Sequence, residues 1–390
     1  MKKSLIKTLF KGSCPFFLFL AFSMVAFGVI GAAAPFAQAS SMTLAAVAGH
    51  AGKYTSSSIT AADFNGDGKL DLALASEEAG GVSILPGQGD GTFMEAINLE
   101  VGGEPSSITT ADLNKDGHYD VAVTTEDPGA VFILLGNGDG TFMEAVSYQA
   151  GEEPSAIVAV DFNGDENKDL AVANEESADI CILLGHGDGT FMEAAYYAVG
   201  EEPSSITTSD LNGDGLKDLA VTNEEDGTIA LLFGKGDGTF GEASFLKDGE
   251  KPSSIIALDL NGDGQIDLAV TDQDYGDVSI LLGQGDGTFT EGEHYAVGED
   301  PKAVTAADFN NDGKKDLAVV NEKSRNVSIL LGNGDGTLQG AVNYEIGGEP
   351  SAIVPGDFDG DGNKDLAVAG EEEAGVNILF GKGDGTFCHF

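Results

Sequence analysis

Apolar residues in the body of this chain come in short runs broken by Gly, Asp and Asn, and no stretch of that body carries the 3.6-residue periodicity of a helix. The stretch from Pro105 shows the pattern. Ser106 to Asp112 predicts a first strand ending at an acidic loop. Val121 to Thr124, where β-branched residues alternate with smaller ones, predicts a second. Ala130 to Leu135 is nearly all apolar, as a strand covered on both faces should be, and predicts a third. Gly138-Asp139-Gly140-Thr141-Phe142 then reads as a tight turn, because Asp-Gly supplies the positive φ angles that a hairpin needs. Glu144 to Gln149 is the fourth strand of an all-β unit.

The unit recurs. Acidic segments start at Asp63, Asp112, Asp161, Asp210, Asp259, Asp308 and Asp357, each 49 residues after the last, with no insertion or deletion. Four antiparallel strands in about 40–50 residues is the size of one propeller blade, whereas coils of an open solenoid are generally shorter and need capped ends. The last period stops at Phe387-Cys388-His389-Phe390, just after its third strand and turn. The segment from about Leu44 to Gly52 lies in the phase of a fourth strand, so the N-terminal strand is expected to complete the last blade. Closure would remove the exposed sheet edges that invite aggregation. A seven-bladed β-propeller over residues 40–390 is the expected fold.

Each acidic segment spans nine residues, with oxygen-bearing side chains at positions 1, 3, 5 and 9 and usually glycine at 6. Hard Ca²⁺ takes six to eight oxygens, and alternating Asp and Asn can wrap it while position 7 lends its backbone carbonyl. The candidate metal residues at positions 1, 3, 5, 7 and 9 are, loop by loop, Asp63, Asn65, Asp67, Lys69 and Asp71; then Asp112, Asn114, Asp116, His118 and Asp120; then Asp161, Asn163, Asp165, Asn167 and Asp169. They continue as Asp210, Asn212, Asp214, Leu216 and Asp218; Asp259, Asn261, Asp263, Gln265 and Asp267; Asp308, Asn310, Asp312, Lys314 and Asp316; and Asp357, Asp359, Asp361, Asn363 and Asp365. An EF-hand would add a bidentate Glu at position 12, where this chain has Leu74, Val123 or another apolar strand residue. Asx-turns capping hairpins would explain one or two such loops, but they explain less well why three carboxylates recur together seven times. Glu166 replaces the glycine of the third loop, which puts its turn geometry and metal affinity in question, and Asp359 adds a fourth carboxylate to the seventh. The lack of clustered His and Cys argues against zinc.

These loops, together with the Gly-x-Gly-Asp-Gly-Thr-Phe turn seen from Gly87 to Phe93, resemble the FG-GAP/VCBS repeat family, which includes the N-terminal propeller of integrin alpha subunits. Six of the seven turns end in Phe, the sixth in Leu338. The resemblance implies a seven-bladed propeller with calcium in the loop joining strands 1 and 2. It leaves the ligand open, because members serve adhesion, lectin-like binding and accessory roles.

Composition narrows the partners. Of 390 residues, 65 are Asp or Glu against 19 Lys or Arg, a formal charge of −46, so nucleic acid and anionic membranes are poor partners. Residues 1–39 differ in kind: Lys2, Lys3, Lys7 and Lys11 precede an apolar run from Pro15 to about Ala34, and Ala37-Gln38-Ala39 offers a cleavage site. A cleaved signal peptide and a secreted protein that does not span the membrane are expected, the rival being a retained anchor. Cys181 and Cys388 are too few for a disulfide framework and are expected to stay unpaired.

Antiparallel order puts the 1–2 and 3–4 loops on one face of the disc. The opposite face gathers Glu77-Glu78, Glu126-Asp127, Glu175-Glu176, Glu224-Glu225 and Glu371 to Glu373, with Glu104, Glu152-Glu153, Glu201-Glu202, Glu299-Asp300 and Glu349. That face reads either as solvated loops or as a docking surface. His50, His118, His186, His294 and His389 share no phase, and an active site normally breaks a repeat at one place, so no enzyme is expected. Tyr148, Tyr197, Tyr295 and Tyr344 share one phase of the fourth strand and read as packing rather than as sugar platforms. The expectation is a monomeric, non-catalytic binding or adhesion module for an unidentified protein or carbohydrate. Lectin-like binding, a polysaccharide-active enzyme and a structural surface protein are the alternatives.

Overall fold

Four strands build the first blade: β1 (Ser58–Ala62), β2 (Asp71–Ser76), β3 (Gly81–Leu85) and β4 (Ile97–Glu100). They are antiparallel and in sequence order, with Ile59 opposite Leu74, Leu74 opposite Ser83 and Ser83 opposite Asn98. The computed structural model describes residues 56–76, 80–371 and 375–389, and within them this blade recurs seven times around a ring. All regular structure among the described residues is strand, and none of it is a helix long and apolar enough to cross a membrane. Burial follows the radius. The second strand of each of the first six blades is buried throughout, whereas the outer strand β4 is mostly exposed.

The apolar core lies between blades. One cluster joins Phe64, Ala73 and Ile84 of blade 1 to Val121, Val123 and Leu134 of blade 2. Another joins Ile59, Leu72 and Leu74 of blade 1 to Ala367, Ile378 and Phe380 of blade 7, which closes the ring. Two hydrogen-bond series run around the disc with the same closure. On the inner side Ser57 Oγ donates to Pro105 O at 2.9 Å, Ser155 to Pro203 at 2.5 Å and Ser253 to Pro301 at 2.7 Å, and Ser351 of blade 7 donates to Ser56 at 2.6 Å. On the loop side Gly140 N donates to Phe64 O at 3.1 Å, Gly189 N to Leu113 O at 3.2 Å and Gly91 N to Phe358 O at 2.9 Å. Gly91 has to be glycine twice over, since its φ is +82° and a Cβ there would run into the Phe380 ring of the neighbouring blade.

Among the described residues the last blade ends in a short strand at the place where other blades have a bridge such as that between Gly87 and Phe93. β28 (Phe387–His389) pairs with β27 (Val376–Gly381), Gly381 lying opposite Phe387 and Leu379 opposite His389. The segment from about Leu44 to Gly52, expected to complete this blade, lies outside the described residues. The final Gly-x-Gly-Asp-Gly-Thr-Phe turn carries the chain back onto β27, so a short strand forms there that the text of the period alone did not suggest.

Tyr197 and Tyr344 pack edge-to-face on Phe240 and Phe387 of the next blade, with ring centroids 5.7 and 5.6 Å apart. The Tyr295 hydroxyl accepts a hydrogen bond from Leu338 N at 2.9 Å and donates to Glu293 at 3.0 Å. These rings fasten one outer strand to the next turn, as their shared phase suggested. Cys181 is a buried free thiol in blade 3, and Cys388 is half-buried in blade 7. Burial pushes the Cys181 thiol up to about 12.

Candidate functional site

Each acidic loop folds around its first aspartate. In the first loop Asp63 accepts the N–H groups of Gly66 at 2.7 Å, Asp67 at 3.1 Å and Gly68 at 2.7 Å. Asn65 accepts from Asp67 N at 2.9 Å, and Asp67 accepts from Lys69 N at 3.0 Å. This nest needs left-handed backbone at positions 4 and 6, where Gly66 has φ +73° and Gly68 φ +83°. Glu166 stands at position 6 of the third loop. It takes φ +67° and still donates its N–H to Asp161 at 2.8 Å, so the turn is kept and the strain lies in the residue. Position 4 makes the same demand, met by Lys115 at φ +61° and Asn311 at φ +59°.

Position 9 does a different job. Asp71 is buried, accepting Phe64 N at 2.9 Å and Gly87 N at 2.7 Å, so one carboxylate ties the acidic loop to the turn between strands 3 and 4. Asp120, Asp169, Asp218, Asp267, Asp316 and Asp365 repeat both bonds. Burial pushes every one of these carboxyls up from the ordinary aspartate range, against the pull of the two N–H donors. Asp365 goes furthest, to about 7, through burial and through the charges of Asp359 and Asp361.

The seventh loop brings Asp357, Asp359 and Asp361 together with oxygens all within 4.8 Å of one another, the one such acidic triplet among the described residues. The other six loops have Asn at position 3. Position 7 varies in what its side chain does. Lys69 lies 3.9 Å from Asp67 and Lys314 3.6 Å from Asp312, each placing a cation beside its own loop. Asn167 donates to Gly185 O at 3.3 Å and Asn363 to Asp361 at 2.8 Å, while Leu216 and Gln265 are uncharged. The donors are all hard oxygen, which fits Ca²⁺. Side chains at positions 1, 3 and 5, the carbonyl of position 7 and the carboxylate of position 9 are the groups that would hold the ion, which would supply neutralisation of charges packed on one loop.

The opposite face carries the other acids. Burial pushes the Glu175 carboxyl up, and the surrounding Glu224, Glu202, Glu153 and Glu126 push it the same way. This carboxylate pattern breaks in one sector, at blades 5 and 6. Lys251 stands where other blades have Glu104, Glu153 or Glu202; Gln273 replaces the glutamate of Glu126, Glu175 and Glu224; Lys302 replaces the inner serine; and Lys323 replaces Asp127, Glu176 or Glu225. The replacements are wired together. Lys251 pairs with Glu224 at 3.2 Å, Gln273 donates to Glu224 at 3.3 Å, Lys302 reaches Glu322 at 3.1 Å and Asp300 at 3.5 Å, and Lys323 reaches Asp300 at 2.9 Å. Burial works against the Lys302 ammonium, but the Glu322 and Asp300 carboxylates hold its pKa above the ordinary lysine value. A second break lies deeper. Asp248 is buried at a phase where other blades place Val101, Ala150, Val199, Val297 or Ile346, and it accepts a hydrogen bond from Ser279 Oγ at 2.5 Å. Sequence reading passed over these residues because it followed what the periods share. Lining up the seven periods and asking which residues depart in charge would have found them.

A ring of seven four-stranded blades, bonded blade to blade and carrying an acidic nonapeptide between the first two strands of each, defines a repeat propeller of the acidic-loop class. The model of the FG-GAP-like repeat matches six overlapping units, residues 63–123, 112–172, 161–221, 210–270, 259–319 and 308–368. The chain belongs to the FG-GAP-like repeat family. No curated protein matches it. Solved structures share the fold at low identity. BBS1N, determined in complex with ARL6DN, is 16% identical with a TM-score of 0.60, over 85% of this chain and 93% of that one. A lectin of Agrocybe aegerita that recognises non-reducing terminal N-acetylglucosamine is 20% identical with a TM-score of 0.53, over 74% and 80%. A virginiamycin B lyase from Staphylococcus aureus, determined with quinupristin, is 18% identical with a TM-score of 0.56, over 84% and 94%. Protein-binding, sugar-binding and catalytic proteins thus share this architecture, and the likeness speaks for fold alone.

Proposed function

We propose that this protein is a secreted, calcium-stabilised and non-catalytic binding module that engages a protein or glycan through the face carrying the 2–3 and 4–1 loops. The observation that carries the reading is the contrast between the two faces. The 1–2 loops repeat one hydrogen-bonded design seven times, as a structural cation site would. The other face gathers Lys251, Lys302 and Lys323 in one sector where other blades carry acids or serine, and recognition of one partner needs such a departure from symmetry. Export rests on the basic and apolar character of residues 1–39.

Carbodiimide crosslinking of the full chain to an extracellular protein fraction, with mass spectrometry of the products, tests the docking face. Crosslinks should concentrate on carboxylates such as Glu153, Glu176 and Glu202. Crosslinks spread evenly over both faces, or centred on the 1–2 loops, would count against it.

A further inference from the structure

Between blades 5 and 6, on the face proposed for binding, lies an open cleft of about 640 Å³. Its walls include Gln273, Asp274, Tyr275, Glu299, Asp300 and Lys323. Tyr275 is 58% exposed and occupies a phase that other blades fill with Pro128, Ser177, Asp226 or Ser324. It packs in none of the interblade clusters. Its backbone N–H donates to Asp272 at 2.8 Å and its hydroxyl to Glu250 at 3.4 Å, and the ring stands exposed at the cleft wall. A tyrosine ring, with only two side-chain torsions, loses little conformational freedom on binding.

The polar groups around that ring carry both signs. Asp274 and Glu299 are exposed, Asp300 is buried at 7% exposure, and Lys323 is anchored to Asp300 at 2.9 Å with its side chain 69% exposed. The corresponding cleft between blades 2 and 3, about 780 Å³, makes a useful contrast. It is lined by Glu126, Asp127, Glu152, Glu153, Glu176 and Asp179 and contains no basic residue. An anionic ligand is repelled from the blade 5–6 cleft by its carboxylates and by the charge of the whole molecule, and a cationic ligand meets the Lys323 ammonium while purely acidic surface lies elsewhere on the face. The ligand that suits fixed donors and acceptors of both kinds beside an aromatic ring is uncharged, rich in hydroxyls and apolar on one side. The volume lies within the roughly 300–1,000 Å³ range of small-molecule sites.

We infer that the cleft between blades 5 and 6 is a binding site for an uncharged carbohydrate, with a sugar ring laid on Tyr275 and its hydroxyls directed by Asp274, Glu299 and Lys323. The inference rests on the binding-module reading and narrows it to one ligand class and one site. The test is an array of uncharged, sialylated and sulfated glycans probed with the full chain. Uncharged glycans should bind. Tyr275→Ala should lower that binding at least tenfold, Tyr275→Phe should retain it, and Phe245→Ala, which removes an exposed ring on an outer strand, should leave it unchanged. Because Tyr275 is exposed, the variants should melt with the wild type. Uncharged-glycan binding that survives Tyr275→Ala overturns the inference, as does binding confined to charged glycans. No glycan binding alongside a crosslinked protein partner removes the cleft and leaves the module; no capture of either kind removes both.

Discussion

Glu166 adopts backbone that glycine adopts in the equivalent place of the other loops, and its N–H makes the same bond to Asp161. Left-handed backbone on a residue with a side chain costs on the order of 1 kcal/mol or more. Glu166→Gly is therefore expected to raise unfolding stability by about 1 kcal/mol in urea denaturation; a neutral or destabilising result would mean that the Glu166 side chain has a role of its own. Asp248 invites a pH experiment. Burial pushes its carboxyl up from the ordinary range, the Ser279 hydroxyl and nearby His294 pull it down, and Asp272 and Asp277 push it up again. The folded state thus holds this proton more tightly than the unfolded chain, and stability falls as pH rises from the ordinary aspartate value through the folded one. Asp248→Asn keeps an acceptor for Ser279 and removes the charge. The variant should be more stable than wild type at pH 7, with the advantage shrinking below about pH 4, where the unfolded aspartate is itself protonated. An equal difference at both values would refute the titration.

At the level of elements, the carboxylate at position 9 is a clamp between two loops. Asp218 accepts Leu211 N at 2.9 Å and Gly234 N at 2.8 Å, both from buried or partly buried backbone. Losing both acceptors strands two N–H groups at about 1–3 kcal/mol each, partly offset because a buried charge goes too. Asp218→Ala should cost about 3 kcal/mol of stability, and most of that loss should persist in EDTA; a loss that vanishes in EDTA would make the aspartate a metal ligand first and a clamp second. Sequence marked position 9 as a ligand by spacing alone. It could not show the bond to Gly234, because the donor lies on the turn that the strand 2–strand 3 hairpin brings back. The four strands of each blade, by contrast, were legible from short apolar runs and Asp-Gly turns. The short β28 was not, since a strand of three residues has too few positions to show alternation.

At the scale of the molecule, seven acidic loops sit on one face of the ring, in a chain whose formal charge is −46. If each loop takes Ca²⁺ with a dissociation constant of about 10⁻⁴ M, 1 mM Ca²⁺ adds roughly 1.4 kcal/mol per site, or about 10 kcal/mol for seven independent sites. That is comparable to the stability of an ordinary domain. EDTA should lower the melting temperature by many degrees and readded Ca²⁺ should restore it, as read by differential scanning fluorimetry at constant ionic strength. A melt indifferent to EDTA would leave the Asx nests as sufficient in themselves.

The 49-residue period, the all-β class, the blade count and the positions of the acidic loops were determined by the order of residues alone, because hydrophobic alternation and turn chemistry act over a few neighbouring positions. What lies beside what was decided by the closed ring. Lys251, Gln273, Tyr275, Lys302 and Lys323 belong to separate stretches of chain, and they form one sector because adjacent blades set the same phase side by side. Asp248 reads as one more acid in an acidic protein until β19 (Asp277–Gly283) places Ser279 against it in the interior. Charge and burial are properties of surroundings, and those surroundings exist only once the blades have packed.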